Sequence, residues 1–421
     1  MLVQFSFKNF KSFKDESTLD LAAASIKEHP YNLIELSADN RYLKVAAIYG
    51  ANASGKSNIL EAFDFMSDYV VHSLLLDGDD DKDNKDDRSI RRLLSVSNFL
   101  FSNSSKNQPS EFEVFFIINN TEYQYGFILD NKKIHSEWLY SRRINGKKID
   151  TLFERINNKF VFGPRMSKAE IFKESVNDRT LFLTLTAKTK ISISKRVLDW
   201  FKKSLVINFG DIDFENFMAH RISPELIENV DYKKRLEKFL ISIDSGITGI
   251  RVEEVNMKGC KNNECTLFSI HNTDEVGKYA ELPLSQESSG TLKMFYLFDF
   301  FWNIMQQGSV LFVDELNAKL HPLLVRHIIN MFHDSNVNKN NAQLIYTTHD
   351  IFTLTKETFR RDEVWFTEKN EKGISSLYSL VEYKLDDNIK VRNDATYYKD
   401  YMMGRYGAIP LLKEFNIMEE S

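Results

Sequence analysis

Val45-Ala46-Ala47-Ile48-Tyr49-Gly50-Ala51-Asn52-Ala53-Ser54-Gly55-Lys56-Ser57-Asn58 is an apolar run that breaks into a glycine-bounded loop and continues into an amphipathic stretch. A short apolar strand, the spacing G-x-x-x-x-G-K-S and a following helix form the context that a phosphate-binding P-loop requires. Gly50 and Gly55 let backbone N–H groups close on phosphate oxygens. Lys56 can reach the β and γ phosphates, and Ser57 can hold Mg²⁺ at the helix N-terminus. Asn52, Ser54 and Asn58 belong to the same stretch and are assigned to the nucleotide with them. Ile59, Ala62, Phe63 and Met66 recur at helical spacing, so the helix is expected to pack against a sheet.

Working outward, 421 residues allow two or three structural units, and a 43% hydrophobic content supports a large core. A formal charge of −5 argues against a chain that is basic throughout, while leaving room for a local basic face. The two cysteines, Cys260 and Cys265, and a start, MLVQFSFKNF, without a cationic segment and apolar signal core lead us to expect a cytoplasmic protein. The aromatic run Phe295 to Met305 is interrupted by Asp299 and Asn303 and is too short to span a bilayer, so no membrane segment is expected.

Residues 2–8 alternate, with Val3, Phe5 and Phe7 expected on one face of an edge hairpin beside the nucleotide site. The acidic run between Asp77 and Arg88 reads as a solvated or disordered loop. Residues 111–163 alternate in short runs separated by turn signals at Asn119-Asn120, Asp130-Asn131 and Asn145-Gly146, as in an antiparallel β-subdomain. From about 165 to 245 the period becomes helical without a sustained heptad, which indicates a compact helical lobe and no coiled-coil arm. Ser309-Val310-Leu311-Phe312-Val313-Asp314-Glu315-Leu316 and Leu344-Ile345-Tyr346-Thr347-Thr348 read as buried parallel strands. No repeat of fixed period occurs.

A P-loop alone leaves kinases, GTPases and several ATPase classes open. Asp314 stands at the end of its strand, where it can contact a Mg²⁺ shell, and Glu315 beside it can polarise a water. Thr347-Thr348-His349-Asp350 places an imidazole, His349, where a γ phosphate could be sensed. Lys56, Glu315 and His349 are therefore the candidate catalytic residues. Upstream, Glu287-Ser288-Ser289-Gly290-Thr291 opens an apolar helix, and small residues at a helix N-terminus make an anion-binding surface. Because the P-loop already serves the chain's own phosphates, Ser288, Ser289 and Gly290 are assigned to a nucleotide held by another protomer, which implies a head-to-tail dimer.

This order of motifs resembles the ABC-type ATPases of the SMC and RecF kind, and most closely the RloA-like ATPases. Those are relatives of the OLD-family proteins found in bacterial restriction-linked and phage-defence operons. The resemblance rests on Phe5 to Phe13 (F-x-F-x-N-F-x-S-F), GANASGKS, the P-x-x-F-E-V strand at 109–114, ESSGT, FVDELNAKLHP, TTHD and GRYGAIP at 404–410. It implies ATP and Mg²⁺ as ligands, Lys56 and Ser57 on phosphate and magnesium, Asp314 as Walker B acid and Glu315 as catalytic base. By the same resemblance Ser288 and Gly290 act in trans, His349 is the switch histidine, Lys11 and Ser12 lie near the nucleotide, and Gln108 is the candidate glutamine-loop ligand of the metal. The chain reads ESSGT for the usual LSGGQ and carries His321 where many relatives have an aspartate.

Other readings are weaker. Asn84-Lys85-Asp86-Asp87 fits N-K-x-D but lacks a preceding apolar strand; Cys260, Cys265 and His271 fall short of four zinc ligands; Asp211 and Asp213 have no partner glutamate for nuclease chemistry. Lys188, Lys190, Lys195, Arg196, Lys202 and Lys203 surround Trp200 and Phe201 and read first as a solvated helix face, second as a phosphate-binding surface. The expected architecture is an α/β P-loop NTPase of the ABC-type ATPase head class. Residues 1–75 form its N-terminal part, 76–110 an acidic flexible segment, 111–163 the antiparallel β-subdomain, 164–250 the inserted helical lobe, and 251–421 the C-terminal part. By the resemblance it is a homodimer or higher homo-oligomer that senses a phage protein or DNA and controls a separate effector, a nuclease or toxin. The alternatives are a RecF-like DNA-repair ATPase and a nucleotide-stabilised scaffold.

Overall fold

Val45–Gly50 forms β5, buried along its whole length in the computed structural model, which describes residues 1–76, 93–211, 225–255, 264–384, 391–392 and 395–410. Ala46 and Ile48 face one core while Val45, Ala47 and Tyr49 face the other. Such two-sided burial is what a parallel strand covered on both faces requires. The partners of β5 are β11 (Leu205–Asn208), β15 (Val310–Asp314), β16 (Gln343–Thr347), β17 (Val364–Lys369) and β18 (Ser375–Ser379), in the order β11-β15-β16-β5-β17-β18. All but β18 run parallel, so the loops after β5, β11, β15 and β16 gather at one edge. Both runs expected to be parallel strands are so, and β16 lies between the P-loop strand and the Asp314 strand.

The second sheet is antiparallel, with β1 (Leu2–Lys8), β2 (Ser17–Asp20), β6 (Ser110–Ile118), β7 (Thr121–Leu129), β8 (Ile134–Arg143), β9 (Ile149–Ile156) and β10 (Lys159–Phe162) in the order β10-β9-β8-β7-β6-β1-β2. Asn119 and Asn120 both take positive φ, the requirement of the tight β6–β7 turn. The N-terminal hairpin differs from expectation in two ways. β1 is an interior strand, paired with both β6 and β2, and only β2 lies at the edge. A bulge between Leu2 and Gln4 then turns Val3 away from Phe5 and Phe7, into a small cluster with Ile34, Tyr42 and Ile117.

Helix α1 (Lys56–His72) packs between the two sheets, and Phe63 stacks on Phe312 of β15 with ring centroids 4.2 Å apart. Helices Phe182–Lys188 and Ser192–Lys203 complete this core, with Trp200 stacked on Phe116. β11 then returns the chain to the central sheet, so the stretch 164–250 is divided by a strand. On the opposite face pack helices Val230–Ile243, Ser289–Gln307 and Pro322–His333. A three-stranded sheet of β12 (Ile247–Val255), β13 (Glu264–Asn272) and β14 (Tyr279–Pro283) was not legible in the sequence. The acidic run with Asn84 to Asp87, Asp213 and Cys260 lie outside the described residues. Among those described, no helix is long and apolar enough to cross a membrane.

Candidate functional site

The P-loop leaves β5 at Gly50, where a Cβ would approach the carbonyl oxygen of Thr367 to 2.5 Å. Gly55 has φ +112, and a Cβ there would meet Ser375 Oγ at 2.7 Å and Ser12 Oγ at 2.9 Å. Both positions therefore require glycine, one for contact and one for backbone angle as well. The loop is seated on hydroxyls: Ser375 Oγ donates to Ser54 O at 2.6 Å, and Ser54 Oγ lies 2.6 Å from Thr367 Oγ1. Ser12 Oγ accepts from Asn58 Nδ2 at 2.7 Å and lies 2.8 Å from Ser375 Oγ, which, its own proton being on Ser54 O, can only accept there. Ser12 is thus buried beneath the loop as part of its seat. Asn52 and Ala53 form its exposed crest.

Lys56 opens α1 and folds back, its Nζ donating to Gly50 O at 2.9 Å and Ala51 O at 3.0 Å. Burial pushes the ammonium down to about 8, against the pull of Asp314 and Glu315. Ser57 Oγ donates to Asp314 Oδ1 at 3.1 Å, which brings the first turn of α1 against the end of β15. Thr347 Oγ1 donates to the same oxygen at 2.5 Å and accepts from Glu315 N at 2.8 Å. Glu315 has φ +55, the uncommon left-handed backbone held by that bond and by Leu316 N on Thr347 O at 3.1 Å. His349 follows β16 at the exposed rim; the partial burial of its ring and the charge of Lys56 hold its pKa down, while Glu315 and Asp314 pull it up. Asn317 Oδ1 accepts from Thr348 Oγ1 at 2.9 Å and from His349 N at 3.2 Å.

The structure therefore brings Gly50, Ser54, Gly55, Lys56, Ser57, Asp314, Glu315 and His349 to one edge of the sheet. A cleft of about 300 Å³ opens beside it, lined among others by Lys11, Ser57, Glu61, Asn208 and Asp314. Lys11 Nζ is paired with Glu61 across the cleft. Gln108 is not brought there: it stands on an exposed turn whose carbonyl accepts from Asn9 Nδ2 at 2.8 Å and Asn98 Nδ2 at 2.9 Å. The residue beside Asp314 is Asn208, at the end of β11 and in register with it. Leu205-Val206-Ile207-Asn208 is a short apolar run ending in a polar residue, a signal of the same kind as β15 that lies inside the stretch expected to be helical.

Ser288 caps helix Ser289–Gln307, its Oγ accepting from Thr291 N at 3.1 Å. Ser288 and Ser289 are exposed, and a Cβ at Gly290 would meet only Lys319 O and Ser288 Oγ, each at 3.8 Å. Among the described residues the side-chain hydrogen bonds of Ser288 run to Thr291, within its own helix. Behind them Glu287 Oε1 bonds His271 Nε2 at 2.6 Å, which ties His271 to this loop. Trp200 and Phe201 are buried, which removes them from any nucleic-acid surface. Ser57 and Asp314 offer hard oxygen donors of the kind Mg²⁺ takes. Among the described residues no group of three His, Cys, Asp or Glu could hold a metal, so a cation at this point would complete its shell with phosphate oxygens and water.

A family model described as "AAA domain, putative AbiEii toxin, Type IV TA system" (AAA_21) matches residues 45–355, from the start of β5 to just beyond His349. No curated protein matches the chain. Among solved structures, the SMC head domain from Thermotoga maritima is similar at 14% identity and TM-score 0.42, over 90% of this chain and 98% of that one. An SmcHead bound to the C-winged helix domain of ScpA is similar at 13% identity and TM-score 0.44, over 93% and 99%. At that similarity neither carries a conclusion about this chain.

Proposed function

From the premise that this chain belongs to the AAA_21 family of AAA domains, we propose that it binds ATP with Mg²⁺ and hydrolyses it at sites shared by two head-to-tail protomers. The observation that carries this reading is the chain of bonds Ser57–Asp314–Thr347–Glu315, which unites the P-loop helix with the ends of two parallel strands. Backbone N–H groups of the loop would hold the phosphates, and Lys56 Nζ would leave the Gly50 and Ala51 carbonyls for phosphate oxygens. Mg²⁺, when bound, supplies charge neutralisation between the phosphates. Glu315 would orient the water that attacks the γ phosphorus as the bridging oxygen departs with ADP, and His349 would bond the γ phosphate. Ser288 to Gly290, open at the start of their helix, would complete the site of the other protomer.

The family description, which reads "putative AbiEii toxin, Type IV TA system", supports placing this ATP switch in a toxin–antitoxin type of growth-control module; that it serves phage defence and controls a separate nuclease or toxin rests on the resemblance of its motifs alone. The test is the mass of Glu315→Gln by light scattering with and without MgATP, beside phosphate release by the wild type. The expected result is turnover by the wild type and an ATP-dependent doubling of the variant's mass that Ser288→Arg abolishes. A mass independent of ATP with no turnover overturns it in favour of a nucleotide-stabilised scaffold.

A further inference from the structure

Resting on that reading, we propose that Asn317 is a positioning residue, whose side chain holds His349 in register with Glu315. The two loops concerned end neighbouring strands, β15 and β16, and several bonds lace them together. Two of these, Glu315 N to Thr347 Oγ1 and Leu316 N to Thr347 O, end on the fully buried Thr347. They fix the acidic turn to the end of the strand but stop two residues short of the imidazole. From Thr348 onward the bond between the loops is made by Asn317 Oδ1, which takes both the Thr348 hydroxyl at 2.9 Å and the His349 amide at 3.2 Å.

The chemistry of the acceptor fits the position. A backbone N–H can only donate, so the atom that meets His349 N must be the amide oxygen. A single oxygen serving two donors from consecutive residues fixes both the height and the direction of the chain as it leaves β16. Its own backbone is fixed by the same turn, since Ala318 N donates to Glu315 O at 2.8 Å and so closes the loop on which Asn317 stands. A displacement of Glu315 is thereby transmitted to His349. The two groups proposed to act on opposite sides of one reaction, on the water and on the γ phosphate, share one frame. No motif points to Asn317, because its role depends on the pairing of strands about thirty residues apart in the chain.

Two substitutions and two readouts test this. Asn317→Ala removes the acceptor, whereas Asn317→Asp keeps an oxygen for both donors. In Asn317→Ala, kcat is expected to fall roughly 10- to 100-fold, the scale of a small misplacement of reacting groups, with the Kd for ATP unchanged within about twofold. Asn317→Asp is expected to retain most of the lost kcat. Amide hydrogen exchange, which needs no turnover, is expected to rise in Asn317→Ala over the segment after β16 and not over the P-loop, and to return in Asn317→Asp. Unchanged kcat and exchange in Asn317→Ala overturn the proposal, as does a parallel loss of ATP binding and of exchange protection throughout the chain. Absence of phosphate release by the wild type overturns the ATPase reading; the exchange pattern then still decides whether Asn317 holds the loop.

Discussion

Lys56 carries the clearest electrostatic consequence at the scale of single residues. Its buried ammonium, lowered to about 8, is charged below that pH and neutral above it, whereas a free lysine keeps its proton to about 10.4. Phosphates favour the charged form, so ATP affinity should fall as pH rises from 7 to 9, and binding above pH 8 should take up a proton. Calorimetry in two buffers of different ionisation enthalpy measures both; an affinity flat across this range contradicts the assignment. Glu315 and His349 were legible because their motifs are contiguous. Asn317, Thr347, Thr367 and Ser375 were missed as site residues because each bonds a partner far along the chain, and Asn208 because only strand pairing sets it beside Asp314; nothing local distinguishes a structural serine or asparagine from a surface one.

Elements of the antiparallel sheet were predicted by alternation, yet alternation says nothing of which side chain occupies which gap. At Gly126 in β7, a Cβ would lie 2.4 Å from Trp138 Cζ2 and 2.8 Å from Phe112 O. Trp138 is held over this position by its Nε1, which donates to Glu113 Oε1 at 2.7 Å, so it cannot yield without losing that bond. Gly126→Val should therefore destabilise the protein by about 1–3 kcal/mol, the usual cost of overpacking, read from the midpoint of urea unfolding. An unchanged midpoint would show that the ring moves freely. The bulge at Leu2 and Gln4 belongs to the same scale, since one extra residue reverses the faces of all that precede it.

Across the whole molecule, the early and late parts of the chain are joined by buried polar groups as well as by the core. Arg360 is fully buried, with Nε and Nη2 donating to the two oxygens of Asp362 at 2.9 and 2.7 Å and Nη2 donating to Ala24 O at 3.2 Å. Glu363 beside it accepts from Asn32 Nδ2 and pairs with His333 Nε2, each at 2.8 Å. Gln343 makes a similar joint, donating to Leu2 O and Leu43 O and so holding the start of β1 to the central sheet. Burial already raises the pKa of Asp362 against the pull of Arg360. Arg360→Ala, which leaves that carboxylate buried and unpaired, is expected to cost about 3–5 kcal/mol by calorimetric unfolding, whereas a loss under 1 kcal/mol would mean water enters the gap.

The amino-acid sequence by itself determined the P-loop, the acidic pair and the parallel character of β5, β15 and β16. Each depends on neighbours within a dozen residues: backbone angles, spacing along one turn, and burial on both faces of a short run. Tertiary structure decided that β16 stands between β5 and β15, that β1 is interior, that Asn208 and not Gln108 faces Asp314, and that Thr347 and Asn317 tie the site together. These follow from the pairing of strands distant in the chain. Periodicity shows that a strand is buried, but hydrogen bonding between particular strands selects its neighbour, and only that choice sets which polar side chains meet.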